Sequence, residues 1–191
     1  MPKAKIGNRT VVLSAFLHYC VGTAISQIIV IFNAHFHFKL TAGGLVDSWH
    51  NLALVLKPWY DAIGEIAKAS AVLHADETGW RVNGKTYWLW CFSNQYVTYY
   101  IIDRSRASPV LLRFLKHSFA GVLVTDFYGA YNAVVCAYKQ RCLVHLLREL
   151  KKVSQSNNSS DWLLFSQRLK RLLRDAMRLR GTKNSMSASQ R

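Results

Sequence analysis

Acidic residues are scarce in this sequence of 191 residues, in which 10 Asp and Glu stand against 25 Lys and Arg. The formal net charge is +15 and the pI is about 10.0. This excess predicts a polyanionic partner, nucleic acid first and an acidic membrane surface second, and an enzyme of small molecules would not need it. The excess is uneven, because residues 139–191 hold 13 basic and 3 acidic residues, whereas residues 1–138 hold 12 and 7.

A paired cysteine framework is also lacking. The four cysteines, Cys20, Cys91, Cys136 and Cys142, are scattered along the chain. No small-residue cleavage site follows the apolar run after Met1–Arg9, so we expect no cleavable signal peptide. These two absences predict a reducing, cytoplasmic setting. The 51% of hydrophobic residues exclude a disordered chain.

Charge is missing altogether between Arg9 and Lys39, and the run Val11–Phe32 is apolar enough for a membrane span to be weighed. Polar or helix-weakening residues interrupt the middle of that run, where hydrocarbon tolerates them least. These residues are His18, Gly22, Thr23, Ser26 and Gln27. A pair of buried helices joined at Gly22-Thr23 accounts for them better, so we predict no membrane span.

Residues 1–70 are predicted to form an N-terminal helical region. After the two buried helices, the spacing predicts a third helix from Leu45 to about Leu56, and Pro58 is expected to start a fourth that ends at Ala69. Short helices separated by tight turns fit a helix-turn-helix-like module and fit a plain helical bundle equally well.

Residues 71–153 show a different, mostly extended pattern. The predicted elements are strands over 71–82, 87–93 and 96–102, a helix with Ser108 as N-cap and Pro109 as first residue to about Lys116, a buried strand over 121–126, a helix over 128–137, a strand over 141–144 and a helix over 145–153. An Asn83-Gly84 turn joins the first two strands. This order is that of the ribonuclease-H-like fold, an α/β class with a mixed sheet of three antiparallel and two parallel strands.

Residues 154–191 are predicted to be an appendage. Residues 154–160 read as a flexible polar linker, and 161–180 as a basic amphipathic helix that Gly181 ends. The tail over 182–191 holds hardly any aliphatic residue and is expected to be disordered.

Two carboxylates fall where this fold would bring them together. In the predicted sheet the first strand lies beside the fourth, so Asp76 in the first and Asp126 at the end of the fourth would approach one another. Displacement at a phosphodiester places negative charge on the attacking and leaving oxygens, and two Mg²⁺ ions roughly 3.5–4 Å apart can neutralise both. Carboxylate oxygens are the ligands that Mg²⁺ prefers.

These residues lie within longer motifs, and the chain resembles the transposases of the bacterial insertion sequence 66 type from about Lys3 to Lys152. The motifs are HADETGW over 74–80, YWLW over 87–90, GVLVTDFYGAY over 121–131 and QRCLVHLLR over 140–148. The resemblance implies a DDE transposase that cleaves and transfers DNA strands with Mg²⁺ or Mn²⁺. Asp76 and Asp126 match its first two catalytic acids and metal ligands. The implied partner is DNA at transposon ends, in the nucleoid of the bacterial cytoplasm. A homo-oligomer is a second option that the resemblance leaves open.

The sequence departs from that family at the third acid, a Glu on a helix well downstream. No Glu follows Glu149, and the later acids are Asp161 and Asp175. Glu149 lies too near the fifth predicted strand, and Asp175 lies on the basic helix. We therefore expect a truncated transposase that binds DNA, holds metal weakly and is inactive alone. The alternative is a non-catalytic DNA-binding protein that competes at transposon ends.

Several neighbouring residues have a structural as well as a functional interpretation. Glu77 alternates to the face opposite Asp76 and is predicted to be structural, and Asp103 is predicted to be a turn residue paired with Arg104 or Arg106. Tyr and Trp residues between 80 and 100 could stack on bases, but sheet packing explains them better.

The segment after Cys142 offers further candidates. Cys142 and His145 have a weak zinc spacing, whereas the family likeness places His145 near the active site, in contact with the scissile phosphate. Arg148, Lys151 and Lys152 follow on the same helix and are predicted to bind the DNA backbone, with a solvated face as the alternative.

Overall fold

The computed structural model of the chain describes residues 6–116 and 118–189, with side chains through residue 179. Residues 1–5 of the predicted N-terminal region and 190–191 of the predicted tail lie outside the described residues. The chain divides into two compact units, Met1–Glu65 and Ile66–Arg191.

The first unit consists of helices. Helix α1 spans Asn8–Tyr19, α2 spans Ile25–Phe36 and α3 begins at Ala42. The turn between α1 and α2 contains Gly22 at φ +81°, a conformation that glycine adopts without strain. The helices pack around a buried cluster of Val11, Ile28, Phe32, Leu45 and Trp49. The predicted pair of helices joined at Gly22-Thr23 is therefore present.

The predicted helix boundary at Pro58 is wrong, because α3 runs without interruption from Ala42 to Lys68 with Pro58 inside it. A proline in a helix interior loses one backbone hydrogen bond and costs about 3 kcal/mol. The flanking turns carry leucine, valine, alanine and isoleucine, and the helix continues past the hydrogen bond that Pro58 lacks. None of the helices in the described part of the chain is long and apolar enough to cross a membrane.

The second unit is built on a five-stranded sheet. Its strands are β1 (Val72–Val82), β2 (Lys85–Ser93), β3 (Thr98–Asp103), β4 (Ser118–Thr125) and β5 (Val135–Arg141). Their order is β3-β2-β1-β4-β5, with β1–β2 and β2–β3 antiparallel and β1–β4 and β4–β5 parallel. The predicted ribonuclease-H-like mixed sheet, with the first strand central and beside the fourth, is confirmed.

Local backbone preferences explain the turn between β1 and β2 and the start of the helix that follows β3. The β1–β2 turn places Asn83 at φ 49° and Gly84 at φ 76°, the left-handed pair that a two-residue hairpin needs. Helix α4 spans Ser108–Leu115 with Pro109 in its first turn, but its N-cap is Ala107 and not the predicted Ser108. The reason is that Ser105 Oγ accepts the Ala107 backbone N–H at 3.0 Å, so the turn closes one residue earlier.

The predicted helix over 128–137 and the predicted strand over 141–144 are both wrong. Only a 3-10 turn forms, at Gly129–Ala133, and β5 follows at Val135–Arg141. The run Val134-Val135 is β-branched and favours extended backbone, and parallel pairing with β4 stabilises it there. Helix α5 then begins at Leu143, two residues earlier than predicted, and ends at Ser156.

One face of the sheet carries the core of this unit. Leu73, Ala75, Trp90 and Phe92 point to that face and pack with buried residues of α4 and of the 3-10 turn. Residues at alternate positions, among them His74 and Asp76, lie exposed on the other face. Asp76 is therefore on the solvent side of a central strand.

Helix α6 spans Ser160–Ser189, so the predicted end at Gly181 and the predicted disorder after it are wrong for the described residues. A glycine inside a helix costs only about 1 kcal/mol, so Gly181 by itself does not have to end the helix. The predicted linker is shorter too, since α5 continues to Ser156 and only 157–159 separate the two helices.

Candidate catalytic site at the central strands

Asp76 lies in the central strand β1, and Asp126 directly follows Thr125, the last residue of the neighbouring strand β4. The parallel ladder pairs Val72 with Val122 and His74 with Val124. Asp76 lies two residues after His74, and Asp126 lies two residues after Val124 and one after the end of β4, so both acids follow the same end of the paired segment. Both charges also raise the pKa of the buried Tyr131, after its burial and its bond to Glu77.

Hydrogen bonds hold Asp126 and the backbone around it. The carboxylate accepts the Tyr128 backbone N–H at 2.9 Å. Arg141, the last residue of β5, donates to the Asp126 carbonyl oxygen at 2.6 Å and to Thr125 Oγ1 at 3.2 Å. Its second terminal nitrogen, Nη2, donates to Asn132 Oδ1 at 3.0 Å. One guanidinium therefore fastens the end of β4 to the turn that follows.

Asp76 is held more lightly. Its Oδ1 accepts the Glu77 backbone N–H at 3.0 Å, and the residue is exposed. Each of the two aspartates thus uses Oδ1 for a backbone N–H. Within the described residues, neither Oδ2 accepts a hydrogen bond, so each acid keeps an oxygen for a ligand.

Glu77 points to the core face, as its alternation with Asp76 predicts, and its side chain is fully buried. Arg106 donates to Oε1 through Nε at 2.9 Å and through Nη2 at 2.8 Å, and the Tyr131 hydroxyl donates to Oε2. Burial raises the pKa of Glu77 and the charge of Asp126 adds to that rise, against the hydrogen bonds from Tyr131 and Arg106.

Asp103 has a different partner from the one predicted. It pairs with Arg113 of α4 at 2.5 Å, while Arg106 pairs with Glu77 and Arg104 donates to the Tyr87 hydroxyl. Arg113 lies in the last turn of α4 and reaches back to the end of β3, a contact that sequence separation does not reveal.

Helix α5 starts beside the end of β4. The Cys142 N–H donates to the Thr125 carbonyl at 2.7 Å, which places the first turn of α5 next to the residue before Asp126. His145 lies in that turn, and its Nδ1 is buried without a hydrogen-bond partner in the described part of the chain. Arg148, Lys151 and Lys152 are exposed further along the helix.

A third acid does not join the pair. Lys152 pairs with Glu149 at 2.5 Å and Arg171 with Asp175 at 3.8 Å, both on exposed helix surface. Among residues 6–116 and 118–189, no three His, Cys, Asp or Glu side chains are grouped as ligands of one metal ion. The weak zinc spacing of Cys142 and His145 therefore gains no further ligand there.

Sequence reasoning missed Arg106, Arg141 and Tyr131, which hold the site together. Arg141 was expected to start a strand, whereas it ends one, and at that end it reaches the Asp126 backbone. Tyr131 lies in the predicted helix that is a 3-10 turn. A usable signal for Arg106 was the buried position of Glu77, because a buried carboxylate requires a partner.

Of three comparisons with known proteins, the family model shows which family the chain belongs to. A family model described as Transposase IS66 family matches residues 3–191. No curated protein sequence matches the chain. A chain in the cryoEM structure of a simian T-cell lymphotropic virus intasome in complex with PP2A regulatory subunit B56 gamma is 11% identical, with a TM-score of 0.32. That alignment covers 80% of this chain and 66% of the other, slightly under two thirds of its length. The sheet topology, and not this likeness, establishes the fold.

Proposed function

The chain belongs to the IS66 transposase family, and we propose that it forms the part of a DNA transposase in which Asp76 and Asp126 are the first two catalytic acids. The observation that supports this proposal is that each acid lies two residues beyond the last paired residues of the parallel neighbours β1 and β4, His74 and Val124. The reaction class is DNA strand cleavage and transfer, and the substrate is DNA at transposon ends in the bacterial nucleoid.

The donor set fits a hard divalent cation. Two aspartates, each with one carboxylate oxygen left over, offer the oxygen ligands that Mg²⁺ and Mn²⁺ favour. When bound, the metal would neutralise charge that develops on the reacting phosphodiester. The chain's own residues supply the alignment: Arg141 fixes the Asp126 backbone, and the Glu77 N–H orients Asp76.

The first turns of α5 give the DNA backbone a place to bind. The helix begins next to the end of β4, and the N-terminal end of a helix attracts phosphate. Arg148, Lys151 and Lys152 extend the positive surface away from that end, although Lys152 shares its charge with Glu149. His145, in the first turn, is proposed to contact the scissile phosphate.

We propose further that these 191 residues alone bind DNA without cleaving it. Two carboxylates supply a charge of −2, half of what two divalent ions carry, and Glu149 and Asp175 are paired with cations on α5 and α6. The same observation favours the second candidate function, a non-catalytic protein that competes for transposon ends.

Manganese uptake and plasmid nicking test these proposals together. We expect the wild-type chain to take up Mn²⁺, and Asp76→Asn or Asp126→Asn to abolish the uptake. Asp175→Asn is the matched control, because it removes a carboxylate of α6 that is paired with Arg171. Equal uptake by Asp76→Asn and wild type would refute the metal site. Nicking by the wild type that Asp76→Asn abolishes would refute the inactivity of the chain.

DNA binding is tested by its salt dependence. Affinity should fall steeply with salt, since bound cations release counterions from the phosphate backbone. Arg148→Gln and Lys151→Gln should each reduce the slope of log K against log salt by about 1. Lys57→Gln is the control, because Lys57 already pairs with Asp61. A slope that neither α5 variant changes would remove α5 from the DNA interface.

A further inference from the structure

We propose that Glu77, Arg106 and Tyr131 form a clamp that positions Asp126 relative to Asp76. The clamp rests on the proposed function, because it concerns the two acids of that site. Its members are positioning residues that touch neither substrate nor metal.

Both oxygens of Glu77 are already occupied. Oε1 accepts two hydrogen bonds from Arg106 and Oε2 accepts one from Tyr131, with the side chain fully buried. A carboxylate in this state has no oxygen to offer a cation on the opposite face of the sheet. Glu77 therefore does not replace the missing third acid, although it stands next to Asp76 in the chain.

The clamp joins three separate segments. Glu77 belongs to β1, Arg106 to the connection between β3 and α4, and Tyr131 to the 3-10 turn five residues after Asp126. Tyr131 is almost fully buried and its ring meets Trp90 edge to face at 6.1 Å. The clamp ties the segment that follows β4 to β1, in addition to the bonds that Arg141 makes to Asp126 and Asn132.

A second route leads from the clamp to Asp126 itself. The Arg106 guanidinium lies over the ring of Tyr128 at 4.1 Å and over that of Trp88 at 4.5 Å. The Tyr128 backbone N–H donates to the Asp126 carboxylate. A continuous line of contacts therefore runs from Glu77 through Arg106 and Tyr128 to Asp126.

Glu77 also contacts the first acid. Its backbone N–H donates to Asp76 Oδ1 at 3.0 Å. The main chain of Glu77 thus orients one acid, while its side chain orients the segment that carries the other. The bonds that the Glu77 carboxylate accepts from Arg106 and Tyr131 are bonds to a charged group, which are stronger than neutral ones.

Hydrogen exchange and Mn²⁺ titration of the full chain test the clamp, with Tyr131→Phe as the main variant. Removing the hydroxyl should raise the exchange rate of amides over 126–133 about tenfold and weaken Mn²⁺ binding several-fold, with the hairpin of β2 and β3 unchanged. Tyr87→Phe is the control, because it deletes a phenol oxygen that is bonded to Arg104 on the surface. It should change neither quantity.

Glu77→Gln separates positioning from ligation. The amide keeps an acceptor for Arg106, so Mn²⁺ affinity should change less than threefold. Loss of Mn²⁺ binding as complete as in Asp76→Asn would show that Glu77 is a ligand and would overturn the clamp. Exchange over 126–133 in Tyr131→Phe equal to that of Tyr87→Phe would overturn it too. If the wild type takes up no Mn²⁺, the metal site fails, and the exchange experiment still decides whether the clamp exists.

Discussion

Gly121 lies where β4 comes closest to the chain entering β1, and replacing it by alanine should destabilise the second unit. A Cβ at this position would stand 2.5 Å from the Ala71 carbonyl oxygen and 2.7 Å from that of Ser70, against 3.4 Å or more for ordinary contacts. The backbone must therefore separate by roughly 0.7–0.9 Å. Because backbone atoms are in the way, rotation of a side chain cannot relieve the clash.

The cost follows from what that separation disrupts. The Val122 N–H donates to the Ala71 carbonyl at 2.8 Å, and this bond contributes about 1 kcal/mol. Forcing extra atoms into a packed position costs about 1–3 kcal/mol more. Alanine offsets about 0.5–1 kcal/mol of this cost, because the unfolded chain has fewer conformations with alanine than with glycine. The expected loss is about 2 kcal/mol, which corresponds to a fall of about 10 °C in melting temperature.

Thermal unfolding followed by circular dichroism measures this loss, and Gly79→Ala is the matched control. Gly79 lies in β1, where an added Cβ meets no atom within 4 Å. Its substitution should leave the melting temperature unchanged or raise it slightly. If Gly121→Ala and Gly79→Ala have the same melting temperature, β4 does not come as close to the start of β1 as described.

Two further predictions concern single polar contacts. The Ser105 backbone N–H, and then Arg113, lower the pKa of Asp103. That carboxylate therefore stabilises the fold above its ordinary pKa of about 3.9, and the contribution is lost as the pH falls through the lower folded value. In Asp103→Asn, the free energy of unfolding should therefore depend less on pH between pH 5 and pH 2. Urea titrations over that range measure this dependence, and the same dependence as in the wild type would contradict the prediction. The buried Ser14 hydroxyl accepts the Trp49 indole N–H at 3.0 Å, so Ser14→Ala should lower the stability of the first unit by about 1–3 kcal/mol. Tryptophan fluorescence during unfolding measures that loss, and an unshifted midpoint would disprove the bond.

The sheet could be predicted because its information is local. Alternation in β1 to β3, the Asn83-Gly84 turn and the apolar run before Asp126 each specify an element within a few residues. Together they give a strand order that one fold satisfies. The stretch after Asp126 was mispredicted, because Tyr131 and Val134 are apolar at a spacing that suits a helix. Pairing of Val135–Arg141 with β4 decides otherwise, and pairing partners are not visible in a local pattern.

The candidate site divides in the same way. Asp76 and Asp126 could be proposed from the sequence, because one lies in a predicted strand and the other ends a buried apolar run, and their catalytic role stays a prediction. Their support could not be named. Arg106 is 29 residues from Glu77 and Tyr131 is 54 residues from it, so their meeting depends on the packed fold. The prediction of the partner of Asp103 was wrong for the same reason. It named Arg104 or Arg106, which are nearer in the sequence than Arg113.

The β1–β4 ladder ends at His74 and Val124, two residues short of the acids. Strand pairing therefore does not fix the distance between the two carboxylates, which depends on the contacts of the residues that follow the ladder. Hydrogen bonds from Arg106 and Tyr131 to Glu77 tie the segments around the acids together. Those ties, rather than the acids alone, are where loss of function should arise without loss of fold.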